Sequence, residues 1–450
     1  MVSATGYSLY ERTAQAARLG SRPLRMYTLG QLHDGRDLVL DDRTRRIHVA
    51  LIGATGTGKS TLLSHMMRDD LAAGRGFALI DPHGDLAQDI AAATPQSRIN
   101  DLVYFDPSDP AYAVGFNPLS SPADPAVLTA NIVAAFKHIW RDSWGPRMEY
   151  ILGNAIRLLL ATPGSTLVSL PRLLVDDAYR ATLLERCDDP VINLFWRTEF
   201  AGYSQKLRSE AIAPIQNKIG QLTASPTLRA IIGQRSTIDI PHIINTDKIL
   251  IVNLSKRMGE EPSHLLGAFL VTAIAQAAEQ RATIPEEKRR DFTLYVDEFQ
   301  NFATDTFASI LSEMRKWRLN LVVANQFMGQ VPDILRQSIL GNIGTLAVFR
   351  IGAEDGDLLA RQLDFKNPSQ LSDTANHRAW VKTTFEGSPT SPQLVQTFPL
   401  QKSERSNFDA VVARTRARHG RLRVDVERSV ARMFSVATDR KRRKRKPKWR

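Results

Sequence analysis

Ile47-His-Val-Ala-Leu-Ile-Gly53-Ala-Thr-Gly-Thr-Gly-Lys59-Ser60 is the stretch on which the reading of this chain turns. Its first six residues are β-rich and run straight into a glycine turn that ends in Lys-Ser. Beyond it, Ser60–Ala73 carries Leu62, Leu63, Met66, Met67 and Leu71 at helical spacing. A strand, a glycine turn and a helix in that order predict a phosphate-binding loop. Glycines permit positive φ and a close backbone approach, so successive N–H groups can face phosphate oxygens. The candidate cradle is Gly53, Thr55, Gly56, Thr57 and Gly58, with Lys59, Ser60 and Thr61 opening the helix. Lys59 is expected to neutralise the β- and γ-oxygens of ATP, and the Ser60 hydroxyl to hold Mg²⁺.

Working outward, Phe77–Ile80 and Leu102–Phe105 repeat the strand pattern, and each closes on an acid, Asp81 or Asp106. Strand, helix and strand within about thirty residues make the βαβ unit of a parallel sheet. From about residue 126 to 235 the rhythm turns helical. Ala134–Trp140, Met148–Leu160 and Ala211–Leu222 have helical spacing, interrupted by Pro163, Pro171, Pro190 and Pro226. β-rich runs return at Ile249–Leu254, Phe292–Val296, Leu321–Ala324 and Leu346–Arg350, with helices at Pro262–Gln280 and Thr306–Trp317 between them. The expected architecture is α/β: a parallel-dominated sheet built from 41–125 and 236–401, with an all-α insertion over 126–235. A segment over 1–40 precedes it, and a helical extension over 402–439 leads to a basic tail at 440–450.

Phe292-Thr-Leu-Tyr-Val-Asp297-Glu298 is an apolar strand ending in two carboxylates. Asp297 suits the Mg²⁺ shell and Glu298 the orientation of the attacking water. The next strand ends in Asn325-Gln326, and Gln326 is either a contact to the γ-phosphate and its water or a polar strand terminus. Arg315, beside Lys316 and Arg318, is either a solvated cation or a finger reaching a neighbour's nucleotide. Asp81-Pro-His83-Gly84-Asp85 reads as a turn or a switch segment near the phosphates before it reads as a metal site. Trp140 and Trp144, with Arg141 and Arg147, are core tryptophans or a base-stacking surface.

Composition narrows the function class. With 43% hydrophobic and 24% charged residues the chain has the make-up of a globular protein, which excludes wholesale disorder. Cys187 is its single cysteine, so neither a disulfide scaffold nor a cysteine metal cluster is available, and a reducing, cytoplasmic setting is expected. Met1–Arg12 lacks a basic segment followed by an apolar one, and no run approaches ~18 apolar residues. Direct membrane insertion is therefore not expected. The net charge of +12 is localised: Lys402–Arg450 holds 18 Lys or Arg against 5 Asp or Glu, which is +13 and leaves the remainder near −1. Such a tail is expected to stay extended, either as a solvated segment or as a binder of DNA or another polyanion.

Taken together, the glycine loop after Ile-His-Val, Leu79-Ile-Asp-Pro-His-Gly-Asp85, Tyr295-Val-Asp-Glu-Phe-Gln300 and the Arg315…Gln326 pair resemble the TraG/TraD-like coupling ATPases of type IV secretion. These belong with HerA and FtsK among DNA-pumping motors. The resemblance runs over roughly residues 45–400. It implies a RecA-like P-loop core with an all-α insertion, assembled as a homohexamer that moves DNA through a central channel. By the family's pattern Lys59, Glu298 and Gln326 are catalytic, Ser60 and Asp297 hold Mg²⁺, and Arg315 is a finger supplied in trans. Membrane-embedded coupling proteins carry transmembrane helices before the loop, whereas about fifty residues without any precede it here. A soluble relative recruited by a relaxase, a nuclease or a secretion-channel protein is the expectation. Two alternatives remain: a HerA-like helicase subunit paired with a nuclease, and a nucleotide-dependent recruitment module that does not translocate.

Overall fold

The glycine turn sits between a four-residue strand, Val49–Ile52, and a helix, Lys59–Ala72. The strand begins two residues later than its β-rich sequence suggests because His48 is left-handed, with φ of 62°. The His48 ring is buried and bonds the Leu311 carbonyl at 3.1 Å, while its Nδ1 accepts from the Leu321 N–H at 3.1 Å. The computed structural model describes residues 26–121, 123–255, 258–302, 304, 307–385, 387–400 and 406–443.

In chain order the strands are β1 (Met26–Leu32), β2 (Asp37–Asp41), β3 (Val49–Ile52), β4 (Gly76–Asp81), β5 (Leu102–Phe105), β6 (Tyr112–Val114), β7 (Ile249–Asn253), β8 (Phe292–Val296), β9 (Leu319–Asn325), β10 (Thr345–Val348), β11 (Arg378–Lys382), β12 (Thr384–Phe385), β13 (Ser388–Pro389), β14 (Gln393–Gln396) and β15 (Gly420–Leu422). Eleven of them form one sheet in the order β2-β1-β14-β11-β10-β3-β9-β8-β4-β7-β5. From β10 to β5 every pairing is parallel, and from β10 outward through β11, β14, β1 and β2 every pairing is antiparallel. Residues before position 41 therefore supply two strands of the main sheet.

Alternation splits the parallel strands between two cores, as a sheet covered on both faces requires. Val49, Leu51, Phe77, Leu79 and Tyr295 face the helices Lys59–Ala72 and Asp85–Ala93. Ala50, Ile52, Ala78, Ile80, Leu294 and Val296 face the other core, which is continuous with the helical stretch of the chain. That stretch runs from Pro125–Ile139 through Pro146–Leu160 and Gln205–Ala224 to Pro226–Ile232. Trp140 is buried in this core and stacks on Phe136, and the Trp144 indole N–H donates to Glu149 at 2.6 Å. Both tryptophans are packing residues here.

Helix Phe408–His419 covers the β5 edge, where the Tyr104 N–H donates to the Thr415 hydroxyl at 3.0 Å. β15 then pairs with β6, and helix Arg423–Arg443 lies on Pro226–Ile232 through buried Val426 and Val430. The C-terminal extension thus ties the sheet edge to the helical insertion. Arg440–Arg443, the start of the basic run expected to be extended, is the end of this helix, and residues 444–450 lie outside the described ones.

A buried ion network locks the front of the sheet. Arg45 donates both guanidinium arms to Asp70 at 2.9 and 2.7 Å, Arg75 adds a bond at 3.2 Å, and the Tyr295 hydroxyl donates to Asp70 at 2.6 Å. Arg45 also bonds Tyr295 and lies 3.7 Å over the Tyr27 ring. The short helix Asp42–Arg45, the loop helix and β8 therefore share one carboxylate, and the hairpin joins through Tyr27 under Arg45. Asp70→Ala would leave a buried guanidinium without its counter-charge, a change that costs about 3–5 kcal/mol. The expected result is a large drop in the urea midpoint, whereas Glu286→Ala, which removes an exposed partner of Arg318, leaves the midpoint nearly unchanged.

Candidate nucleotide site

The parallel sheet brings three strand tips side by side: β3 enters the glycine loop, β9 ends at Asn325-Gln326, and β8 ends at Asp297-Glu298. Because β9 lies between β3 and β8, its terminal amides stand between the loop and the carboxylates. The carboxyl edge of parallel strands is where such sheets bind ligands.

The loop is braced from both neighbours. The Gly53 N–H donates to the Asn325 carbonyl at 3.2 Å, and the Ala54 N–H to the Arg350 carbonyl at 2.8 Å. A Cβ at Gly53 would lie 2.5 Å from Phe349 Cβ, so only glycine fits there. Gly56 and Gly58 have φ of 76° and 119°, which turn the chain so that Lys59 can open the helix one residue before its expected start. Buried Thr57 closes the loop with its hydroxyl on the Ala54 carbonyl at 2.7 Å. Thr55, Gly56 and Ser60 are exposed at the loop surface, and Thr61 is half-buried. On the far side the His377 N–H holds the Thr57 carbonyl at 2.8 Å. His377, left-handed with φ of 61°, was not legible as part of the loop's support from sequence.

Lys59 is buried, and its ammonium donates to the carbonyls of Gly53 at 2.5 Å and Ala54 at 3.1 Å. Burial holds its pKa below the usual lysine value, against the attraction of Glu298 and Asp297. Asp297 is also buried, and burial first, then the charges of Asp81 and Glu298, push its carboxyl up to about 6. Three carboxylates (Asp81, Asp297, Glu298) thus gather against one ammonium. Asp81 spends both oxygens on backbone N–H groups and Glu298 both on amides, so it is Asp297, with the Ser60 hydroxyl at the neighbouring loop, that fits a divalent cation such as Mg²⁺. The buried Asn325 amide Nδ2 has no hydrogen-bond partner, which suits an acceptor brought to the site.

Glu298 is left-handed, with φ of 48° and ψ of 52°, an uncommon conformation for a non-glycine residue that often marks functional sites. Its two carboxylate oxygens are each held by an amide: Gln326 Nε2 donates to Oε1 at 2.7 Å, and Gln300 Nε2 to Oε2 at 2.6 Å. Gln326 was expected as a phosphate contact or a strand end; in the structure it orients the carboxylate. Gln300, two residues beyond Glu298 in the acidic string, carries no sequence signal of this role. Its partner relation becomes visible only when the turn after β8 brings residue 300 back over 298.

Asp81 holds the turn that follows β4. Its Oδ1 accepts from the His83 N–H at 2.9 Å, and its Oδ2 from the Ala87 N–H at 2.8 Å. The bond to the Ala87 N–H, in the first turn of helix Asp85–Ala93, makes this segment a turn whose Asp81 caps the helix that follows.

Arg315 is not brought to this site. It lies in a single turn, Arg315–Trp317, before the start of β9, while Gln326 follows the other end of that strand. Seven residues of strand span about 20 Å, so Arg315 stands at the opposite edge of the sheet from its own glycine loop. Its side chain is exposed and its turn is pinned: Arg281 donates to the Trp317 carbonyl at 2.9 Å, and Arg289 to the Lys316 carbonyl at 2.6 Å.

Among the described residues no helix is long and apolar enough to cross a membrane. No curated protein matches this chain in sequence. In fold it is similar to the plasmid coupling protein TrwB in complex with the non-hydrolysable ATP analogue ADPNP, with a TM-score of 0.64 at 16% identity over 87% of this chain and 94% of that one. TrwB in complex with ADP and Mg²⁺ gives 0.62 at 17% identity over 87% and 94%. VirB4 of Thermoanaerobacter pseudethanolicus gives 0.59 at 12% identity over 83% and 96%. These likenesses agree with the P-loop α/β core and its helical insertion. The family described as the type IV secretion-system coupling protein DNA-binding domain matches residues 37–361, most of the chain including the glycine loop and Asp297-Glu298, and the chain belongs to that family.

Proposed function

We propose that this chain is an ATP-hydrolysing, DNA-translocating motor of the coupling type, working as a homohexameric ring in the cytoplasm. The observation that carries the reading is the convergence of Lys59, Asp297, Glu298 and Gln326 on adjacent strand tips, in a chain of the coupling family. When bound, Mg²⁺ would be held by Ser60 and Asp297 and would supply charge neutralisation at the β- and γ-phosphates. Lys59 leaves the carbonyls of Gly53 and Ala54 for the phosphate oxygens. The loop N–H groups from Gly56 to Thr61 cradle those oxygens. Glu298, oriented by Gln326, accepts the proton of the attacking water. Arg315, too far from its own loop, serves the site of a neighbouring subunit. DNA passes through the ring, and a relaxase, nuclease or secretion-channel protein delivers or receives it.

The first test is the steady-state ATPase rate of the full chain with and without single- or double-stranded DNA, together with particle images in ATP and DNA. Stimulation by DNA and six-fold rings are the expected results; unstimulated turnover by monomers would instead fit a recruitment switch. The basic run gives a second expectation. Deleting Arg440–Arg450 removes 9 positive charges and should weaken DNA binding for all sequences, with a shallower slope of log K against log salt. An unchanged affinity and slope in a filter or anisotropy assay would leave that run a solubility feature.

A further inference from the structure

Two amides hold the two oxygens of one carboxylate, that of Glu298. Gln326 follows β9, the strand beside the glycine loop, and reaches Glu298 from the loop's side of the sheet. Gln300 belongs to the turn after Glu298 itself and pulls the second oxygen back along that turn. The same Gln300 amide donates to the Gln330 side-chain Oε1 at 3.2 Å, while the Gln300 Oε1 is buried without a partner. A side chain that leaves its own acceptor unsatisfied is in a costly arrangement, and a modest displacement can end it.

The surroundings make that displacement possible. Gln300, Glu298, Gln326 and Gln330 line a cleft of about 160 Å³ that also meets His83 and His264. Gln330 is exposed and lies in the short turn Met328–Gln330, between exposed Phe327 and exposed Ile334. Two bare apolar side chains on one segment at the carboxyl edge give it something to be moved by. The turn is fixed at its base, where the Met328 N–H donates to Asp355 at 2.7 Å. Met328 and Val331 on either side are buried in the core, so the part of the turn that can shift while β9 and Gln326 stay in place is the exposed Gly329-Gln330 tip.

We infer that Gln300 is a positioning residue that restrains Glu298 in a doubly held, slow arrangement, and that displacement of the exposed 329–330 tip of the 327–334 segment withdraws Gln330 and Gln300 and frees the carboxylate for the attacking water. The inference rests on Glu298 being the base. It makes the exposed segment, rather than the nucleotide alone, the determinant of when hydrolysis occurs.

The test is DNA-free ATP hydrolysis by the purified full chain. If the productive arrangement is populated only ~10–30% of the time, Gln300→Ala raises kcat about three- to tenfold with KM little changed. Gln330→Ala, at an exposed position, raises kcat in the same direction by a smaller factor. A residue that merely supported the fold would lower kcat or leave it alone, and a kcat unchanged or reduced in both variants overturns the inference. A rise for Gln300→Ala with none for Gln330→Ala overturns the link to the 327–334 segment. In a Glu298→Gln background Gln300→Ala gives no rise, because no base is left to release. Should Glu298→Gln alone hydrolyse ATP at the wild-type rate, it is the assignment of the base that fails, a result separable from those above.

Discussion

Glu298→Gln is expected to lower kcat for ATP by about 10²–10⁴-fold while leaving the Kd for ATP within a few-fold, because proton removal from water and phosphate binding are separate tasks. The structure sharpens the reason. Glu298 stands two strands over from the glycine loop, held by Gln326 and Gln300, whereas Lys59, proposed to meet the phosphates, holds its ammonium on the loop's own Gly53 carbonyl. The neutral glutamine nearly conserves the volume and can still accept from Gln326 but cannot take a proton. Lys59→Ala is expected to lose both turnover and affinity. It removes the ammonium that offsets Asp297 and Glu298, so those carboxylates would face the incoming phosphates without it. The pair of variants, measured by equilibrium binding of a fluorescent nucleotide and by phosphate release, separates the two roles. Near-normal turnover in Glu298→Gln would move the base elsewhere.

The site was legible where chemistry and local geometry coincide in sequence. Gly53 to Ser60 must be contiguous to wrap a phosphate, and Asp297-Glu298 must follow an apolar strand, so both announced themselves. Strands buried on both faces, such as Phe292–Val296, appear as unbroken apolar runs and were placed to the residue. The antiparallel flank was not. Arg378-Ala-Trp-Val-Lys382 and Gln393–Gln396 are short and alternate polar with apolar residues, a pattern shared by many loops. Only pairing with β10 and β1 makes strands of them. The supports of the site, His377 on Thr57 and Gln300 on Glu298, depend on two backbone positions with positive φ. A left-handed histidine and a left-handed glutamate carry no signature in a single amino-acid sequence.

Arg315→Ala is expected to leave ATP affinity nearly intact and to lower turnover by on the order of 10³-fold or more, the size of effect that arginine fingers supply to phosphoryl transfer. Its place in the fold makes the prediction specific to an assembly. Arg315 lies about 20 Å from its own glycine loop, across the length of β9, so an effect on the same chain's nucleotide has no short route. Its turn is anchored by Arg281 and Arg289, and the following Arg318, with φ of 57°, hands the chain on to β9, so the guanidinium projects from a fixed base. A merely solvated arginine on that turn would be replaceable at little cost. Mixing Arg315→Ala with Lys59→Ala chains resolves the geometry. Neither protein alone has a complete site, but a mixed ring contains interfaces where an intact Lys59 meets an intact Arg315 from the neighbour. Activity recovered on mixing, and rising with the fraction of such interfaces, requires the finger to act between subunits and turnover to proceed without every subunit competent. Arg315→Ala protein that hydrolyses ATP at the wild-type rate with DNA present would reduce Arg315 to a surface charge. The sheet would then hold a complete site within one chain, and the case for an obligate ring would have to rest on the particle images alone.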